Sequence, residues 1–227
     1  MSRQEYEIEI KSLLGSEEAA EALKKSLRGI DPSLAPISSY TQLNHYFEGG
    51  TPETLAAKIA PHLGAEDADK LQRIAREGKN VSVRTREMNG EARIVMKASI
   101  GDDTSSNGVM RMELEASVEG FTLDALDGEV LASGYHYQAK WSRTREEYKI
   151  NDIAVCLDKN AGYGYLAEFE KVIDDPSRAE DTKQELASFM NAIGIAELPQ
   201  GRLERMFAYY NEHWPEYYGT DKIFIIE

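Results

Sequence analysis

Residues 5–11 read EYEIEIK, and their alternation constrains the fold more than any other feature of the chain. Side chains of a strand point to opposite faces with period two. Glu7, Glu9 and Lys11 therefore share one face, and Tyr6, Ile8 and Ile10 the other. The pattern recurs. Segment 81–86 sets Ser82, Arg84 and Arg86 against Val81 and Val83, and segment 93–98 sets Arg93, Val95 and Lys97 against Ile94 and Met96. Segment 111–116 opposes Arg111, Glu113 and Glu115 to Met112 and Leu114. Arg143 and Arg145 are in phase within 141–148, Asp158 is in phase with Ala154 and Cys156 in 153–158, and Glu168 and Glu170 flank Phe169 in 165–172.

One charged face per strand is the ordinary signature of an antiparallel sheet with one side in water. Solvated strand positions, however, usually mix Thr, Ser, Gln and Lys, whereas these are mainly Glu, Asp, Arg and Lys. Between the strands lie helices that need an apolar sheet face to cover. They are expected at 16–27, capped by Ser16; at 51–64, opened by Thr51 and Pro52 and broken near Pro61; and at 65–78, 122–134, 177–194 and 203–214. Joints are expected at 31–36 and 101–108. If the helices cover the aliphatic face, the charged face must line an interior. A closed antiparallel barrel of about eight strands has an interior just wide enough for side chains or one small ligand. The expected class is therefore α+β, a closed eight-stranded antiparallel barrel with helices packed outside.

The lining specifies the ligand. Bases at Lys11, Arg84, Arg86, Lys97, Arg111, Arg143 and Arg145 stand against acids at Glu7, Glu9, Glu113, Glu115, Asp158, Glu168 and Glu170. Burying that many charges merely to neutralise one another costs several kcal/mol per ion. Arg forks and Lys point charges suit phosphate oxygens, and repeated i, i+2 carboxylates suit hard divalent cations. A chain of phosphates with Mg²⁺ or Mn²⁺ satisfies both sets. The formal net charge of −14 argues against a general nucleic-acid or anionic-membrane surface. A single cysteine, Cys156, excludes an intrachain disulfide and fits a reducing compartment. The first ten residues lack a signal-peptide layout, and no apolar run is long enough to span a bilayer. A cytoplasmic protein with no membrane partner is expected.

The ordered set of motifs resembles the CYTH superfamily, the triphosphate tunnel metalloenzymes that include class IV adenylyl cyclases, thiamine triphosphatases and inorganic tripolyphosphatases. Glu7-Ile8-Glu9-Ile10-Lys11 matches its ExExK signature, and QLNHYF (42–47) resembles the early Tyr-Phe strand. VRTR (83–86) resembles the RxR strand, VMK (95–97) the next lysine strand, and RMELE (111–115) the RxExE element. RTREEY (143–148) resembles K/R-x-R-x-x-Y, and LD with GYGYLAEFE (157–170) the terminal D…G…ExE. The likeness spans roughly 5–172. It implies one tunnel domain over 1–227, with a helical insertion at 51–78 and a helical extension at 173–227. Glu7, Glu9 and Glu170 are implied ligands of a metal that orients the triphosphate, and Asp158 and Glu168 of a second that activates the nucleophile. Lys11, Arg84, Arg86, Lys97, Arg143 and Arg145 resemble the phosphate clamp, with Arg111, Glu113 and Glu115 in the RxExE places; Asp158, Glu168 and Lys11 are the implied catalytic set. Arg143 departs from the family, which often has Lys there, and an always-charged fork is a poor proton acceptor.

The first functional reading is metal-dependent hydrolysis of a triphosphate: inorganic tripolyphosphate, thiamine triphosphate or a nucleotide. The alternative is cyclisation of ATP to cyclic AMP and pyrophosphate; a third reading is a non-catalytic polyphosphate or nucleotide sensor. The partner is a small-molecule triphosphate, with no nucleic acid, and the family's habit allows a homodimer. Four histidines, His45, His62, His136 and His213, show no ligand spacing and read as packing or solvent positions. Cys156 reads as inert filler among aliphatics, and Tyr209, Tyr210, Trp214, Tyr217 and Tyr218 as packing.

Overall fold

A computed structural model describes residues 6–99 and 111–227. The expected joint at 101–108 lies outside the described residues, as does the side chain of Arg111. Among the described residues eight strands appear: β1 (Tyr6–Gly15), β2 (Ser38–Gly49), β3 (Lys79–Met88), β4 (Glu91–Ser99), β5 (Arg111–Ser117), β6 (Tyr135–Ile150), β7 (Ile153–Asn160) and β8 (Gly164–Ile173). The same described residues form six α-helices: α1 (Glu17–Ile30), α2 (Pro52–Ile59), α3 (Ala65–Glu77), α4 (Leu123–Leu131), α5 (Ala179–Ala192) and α6 (Gln200–Tyr217). The strands form an antiparallel sheet hydrogen-bonded in the order β1-β8-β7-β6-β2-β3-β4-β5. The class is α+β. Hydrogen bonding does not close the sheet among the described residues, since β1 and β5 end the order without pairing to each other.

The helix-start signals act in part: Thr51 precedes α2 without a side-chain capping bond, and α5 begins at Ala179 behind Arg178, so Ser177 does not cap it as its position before the helix suggests. Ser16 caps α1 by accepting from Ala19 N, and Thr122 caps α4 by accepting from Ala125 N. Pro52 opens α2, and a single 3₁₀ turn at Ala60–His62, containing Pro61, separates it from α3. Both helices fall in the expected insertion at 51–78. Two strands outrun their motifs: β6 reaches back to Tyr135 and β2 to Ser38. Among the described residues, no helix is long and apolar enough to cross a membrane.

The chain groups into two compact units, Met1–Thr41 with Arg143–Glu227, and Gln42–Ser142. In the first, Ile8, Ile10, Val155, Leu157, Ala167 and Phe169 carry the apolar faces of β1, β7 and β8. Leu23 and Leu27 of α1 and Leu186 and Met190 of α5 bury against them, each fully buried aliphatic contributing about 1.5–3 kcal/mol. The β7–β8 turn is tight. Gly164, at φ +72°, comes so close to Gly15 that a Cβ would lie 2.1 Å from the Gly15 carbonyl oxygen, so no other residue fits. Residues 222–224 fasten this turn: Gly162 N donates to the Lys222 carbonyl at 3.0 Å, and Phe224 N donates to the Gly162 carbonyl at 2.5 Å. Phe224 packs on Tyr163, Tyr209, Tyr210 and Tyr217, so the aromatic cluster of the tail is packing.

In the second unit, Val83, Ile94, Met96 and Leu114 of β3, β4 and β5 meet Leu55, Ile59, Leu71 and Ile74 of α2 and α3, and Leu126 and Val130 of α4. A polar node sits on this otherwise apolar face. Asp127 of α4, 2% exposed, accepts from Thr85 Oγ1 at 2.5 Å and Tyr137 OH at 2.6 Å and pairs with His45 Nδ1 at 2.7 Å. Burial works against the Asp127 charge, but His45, Thr85 and Tyr137 outweigh it and hold the carboxyl below its ordinary range. His45 is thus a packing residue with a partner, and the node ties α4 to β2, β3 and β6.

Candidate functional site

In the first unit, the register assembles one charged face from four strands. Glu9 lies opposite Glu170, and Lys11 opposite Glu168. Cys156 lies opposite Glu168 and Ala154 opposite Glu170; Arg145 lies opposite Asp158 and Glu147 opposite Cys156. Directly opposed residues of an antiparallel pair share a face, so these side chains form a lattice whose reverse is the aliphatic core.

Three carboxylates converge in it. Oxygens of Glu7, Glu9 and Glu170 lie within 4.8 Å of one another. Burial, then repulsion from Glu7 and Glu168, pushes the Glu170 carboxyl up to about 7. Lys11 is the compensating cation, pairing with Glu9 and reaching Glu168 Oε1 at 3.3 Å. One ammonium does not neutralise this group. Like charges held together with all-oxygen donors on rigid strands fit a hard divalent cation such as Mg²⁺ or Mn²⁺.

The neighbouring row is a cation–anion cross-link. Arg145 donates from Nε to Asp158 Oδ1 and from Nη2 to Asp158 Oδ2, both at 2.7 Å, and also pairs with Glu168 Oε2. Arg143 Nη1 adds a third bond to Asp158 Oδ2 at 2.7 Å. For Glu168, burial pushes the carboxyl up, but Lys11, Arg145 and Arg143 together overcome it and hold the group down at about 2. Desolvation opposes the Arg145 charge, and Asp158 and Glu168 more than restore it, raising its pKa. The resemblance implies Asp158 and Glu168 as donors to a second cation; in the structure Asp158, 1% exposed, pairs with two guanidiniums.

In the second unit, Arg84 lies over the Tyr46 ring at 4.4 Å and donates from Nε to Ser82 Oγ at 3.3 Å. Arg86 donates from Nε to Asn44 Oδ1 at 2.6 Å and from Nη1 to Glu115 Oε2 at 2.5 Å. Lys97 Nζ pairs with Glu113 Oε2 at 2.9 Å, and Arg93 Nη1 with Glu115 Oε1 at 3.8 Å. Partly exposed pairs of this kind contribute little to stability, so their cations can exchange a carboxylate for a phosphate oxygen at small cost. Arg111 lies opposite Ser99 in the β4–β5 ladder.

Several members of these faces escape the motif reading. Glu147 accepts from Ser38 Oγ at 2.7 Å and from the Tyr40 hydroxyl, and Asn44 and Arg93 flank Arg86. Parity along β6 gives Glu147 directly, two residues beyond Arg145; Ser38 and Tyr40 precede the recognisable part of β2. Cys156 corrects an expectation. Its neighbours Val155 and Leu157 face the aliphatic core, but period two turns its thiol to the charged face, opposite Glu168. Burial, with Glu170 and Glu168, outweighs Arg145 and pushes the thiol up to about 12, so it is protonated when no cation is bound.

Comparisons with solved structures agree on the fold. The chain is similar to the PH1012 protein of Pyrococcus horikoshii OT3, at 17% identity and a TM-score of 0.55, covering 82% of this chain and 90% of that one. It is similar to the PH1819 protein of the same organism, at 16% identity and a TM-score of 0.56, covering 86% and 94%. A protein from Vibrio parahaemolyticus, provisionally described as an adenylate cyclase, matches at 12% identity and a TM-score of 0.56, covering 89% and 98%. No curated protein matches the chain. A CYTH domain profile matches residues 5–200. That span takes in the eight strands of the described residues and the acids and bases named above, and the chain belongs to the CYTH domain family.

Proposed function

We propose that the chain is a metal-dependent hydrolase of a triphosphate, whether inorganic tripolyphosphate, thiamine triphosphate or a nucleoside triphosphate, bound by the charged faces of its strands. Closure of the eight strands into a tunnel is part of this reading, as in the family. The observation that carries it is the convergence of Glu7, Glu9 and Glu170 within 4.8 Å, on the same face as Lys11, Arg143 and Arg145.

Phosphoryl transfer is mostly positioning and charge stabilisation, so a catalyst of this kind needs fixed cations along the leaving group. Lys11, Arg143, Arg145, Arg84, Arg86, Lys97 and Arg111 supply them. Asp158 fixes both guanidinium forks on β6 before substrate arrives, which lowers the ordering cost of binding. Glu7, Glu9 and Glu170 would hold Mg²⁺ or Mn²⁺, which supplies charge neutralisation at the phosphate oxygens when bound. Glu168, kept ionised by Lys11 and Arg145, is suited to orient an attacking water. Arg143 remains a fork and not a proton acceptor.

The alternative is cyclisation of ATP to cyclic AMP and pyrophosphate, which uses the same cations and carboxylates; likeness to the Vibrio protein keeps it open. A non-catalytic polyphosphate or nucleotide sensor is the third reading. A cytoplasmic setting belongs to this reading, and it allows a homodimer. The deciding experiment offers tripolyphosphate, thiamine triphosphate and ATP to the protein with Mg²⁺ or Mn²⁺, and measures phosphate, pyrophosphate and cyclic AMP separately. Orthophosphate release is the expected result. Pyrophosphate with cyclic AMP and no phosphate assigns the cyclase, and binding without product assigns the sensor.

A further inference from the structure

Cys156 is the only cysteine of the chain, and the residue is 5% exposed on a face made mainly of charged groups. No hydrogen bond to its Sγ occurs among the described residues. A buried thiol without a partner usually sits among aliphatics, where its weak polarity costs little. Here Sγ and carboxylate oxygens of Glu168 and Glu170 all lie within 4.8 Å of one another. The three residues come from adjacent strands in fixed register, Cys156 opposite Glu168, with Glu170 two residues further along β8. Strand backbones hold such donors more rigidly than loops would.

We propose that Cys156, Glu168 and Glu170 form a mixed sulfur–oxygen site for a borderline or soft divalent cation such as Zn²⁺, distinct in donor chemistry from the all-oxygen group of Glu7, Glu9 and Glu170. A thiolate selects Zn²⁺ and Cd²⁺ over Mg²⁺ and Ca²⁺, which prefer oxygen. Lys11 and Arg145 each engage one oxygen of Glu168, and a carboxylate's roughly four lone-pair positions leave room for a metal bond beside them. As the sulfur–metal bond forms, the thiol proton passes to solvent, so no oxidant or reductant is required. Glu170 belongs to both donor groups. A thiophilic ion bound here therefore competes for a ligand with Mg²⁺ or Mn²⁺. The site stands independently of the triphosphate reading, because it is defined by the protein's own donors.

The test uses the full chain, reduced, with substrate absent, and Cd²⁺ as the probe. Calorimetric titration should show Cd²⁺ binding, with a sulfur-to-cadmium charge-transfer band in the ultraviolet rising in proportion. Mg²⁺ should give no such band. Loss of even an outer-shell partner lowers metal affinity about 10- to 100-fold, so Cys156→Ser should abolish the band and weaken Cd²⁺ binding by at least roughly tenfold. Glu7→Gln should leave the band in place. Cd²⁺ binding to the wild-type chain with no sulfur band, or no Cd²⁺ binding at all, overturns the proposal whether or not the Ser variant folds. Retained affinity in a folded Cys156→Ser protein overturns it equally.

Discussion

Arg145 grips Asp158 with a parallel pair of hydrogen bonds, Nε to Oδ1 and Nη2 to Oδ2, each 2.7 Å long, across the β6–β7 ladder. The carboxylate is 1% exposed, and Arg143 adds a further bond to it. Removing one partner of a buried pair strands the other's charge. Asp158→Asn should therefore destabilise the fold by about 3–5 kcal/mol, read by urea denaturation, and should lower triphosphate turnover as well. Wild-type stability in this variant would mean that the guanidiniums find other partners.

Glu170 predicts an unusual pH response in metal-free protein. Its folded-state value of about 7 lies above the ordinary 4.5. Its contribution is therefore fully present below pH 4.5 and is lost as pH rises through 7. The loss is on the order of 3 kcal/mol. Glu170→Gln should remove this slope and, in chelator at pH 8, be more stable than wild type. Saturating Mg²⁺ should reverse that ranking, because the cation rewards the charged carboxylate. Denaturation curves at pH 5 and pH 8, with chelator and with Mg²⁺, check both statements.

Glu168 has the opposite sign. Held at about 2 against an ordinary 4.5, it contributes stability above pH 4.5 that disappears as pH falls through 2. Glu168→Gln should flatten that acid limb, reduce turnover by roughly 10²-fold or more, and leave triphosphate binding largely intact. Unchanged turnover would remove Glu168 from the catalytic set.

Arg86 spans Asn44 and Glu115 and presents a fork to the charged face of its unit. Losing a charge-assisted bond to phosphate costs about 1.5–3 kcal/mol, so Arg86→Ala should weaken triphosphate binding about 10- to 100-fold. Arg86→Lys should recover part of it, because a point charge replaces half the function of a fork. Titration with a non-hydrolysable triphosphate measures both.

How much of this was legible depended on period. Strand parity put Glu7, Glu9 and Lys11 on one face of β1, and Glu168 and Glu170 on one face of β8, because a pleated strand has only two sides. The cap at Ser16 was equally local. Three things were not local. The partners of Asp158 are fixed by the β6–β7 register, which no single strand contains, so the sequence could not report its two guanidiniums. Cys156 reads as lying among aliphatics because its chain neighbours are aliphatic, although parity alone sets its thiol on the charged side. Tyr40 and Ser38 lie in the part of β2 before the motif begins, and only pairing with β6 gives them meaning through Glu147.

Pairing of the first strand with the last has a kinetic meaning. Glu9 meets Glu170 only when β8 has been made and has docked on β1. Until then a nascent or refolding chain carries β1 as an open template edge, and the contact it awaits is among the most distant the polypeptide can form. Such high contact order is slow to satisfy. Cation uptake by the Glu7, Glu9 and Glu170 group should therefore switch on late in refolding, after the local hairpin β3–β4 is complete, and mark arrival at the native state.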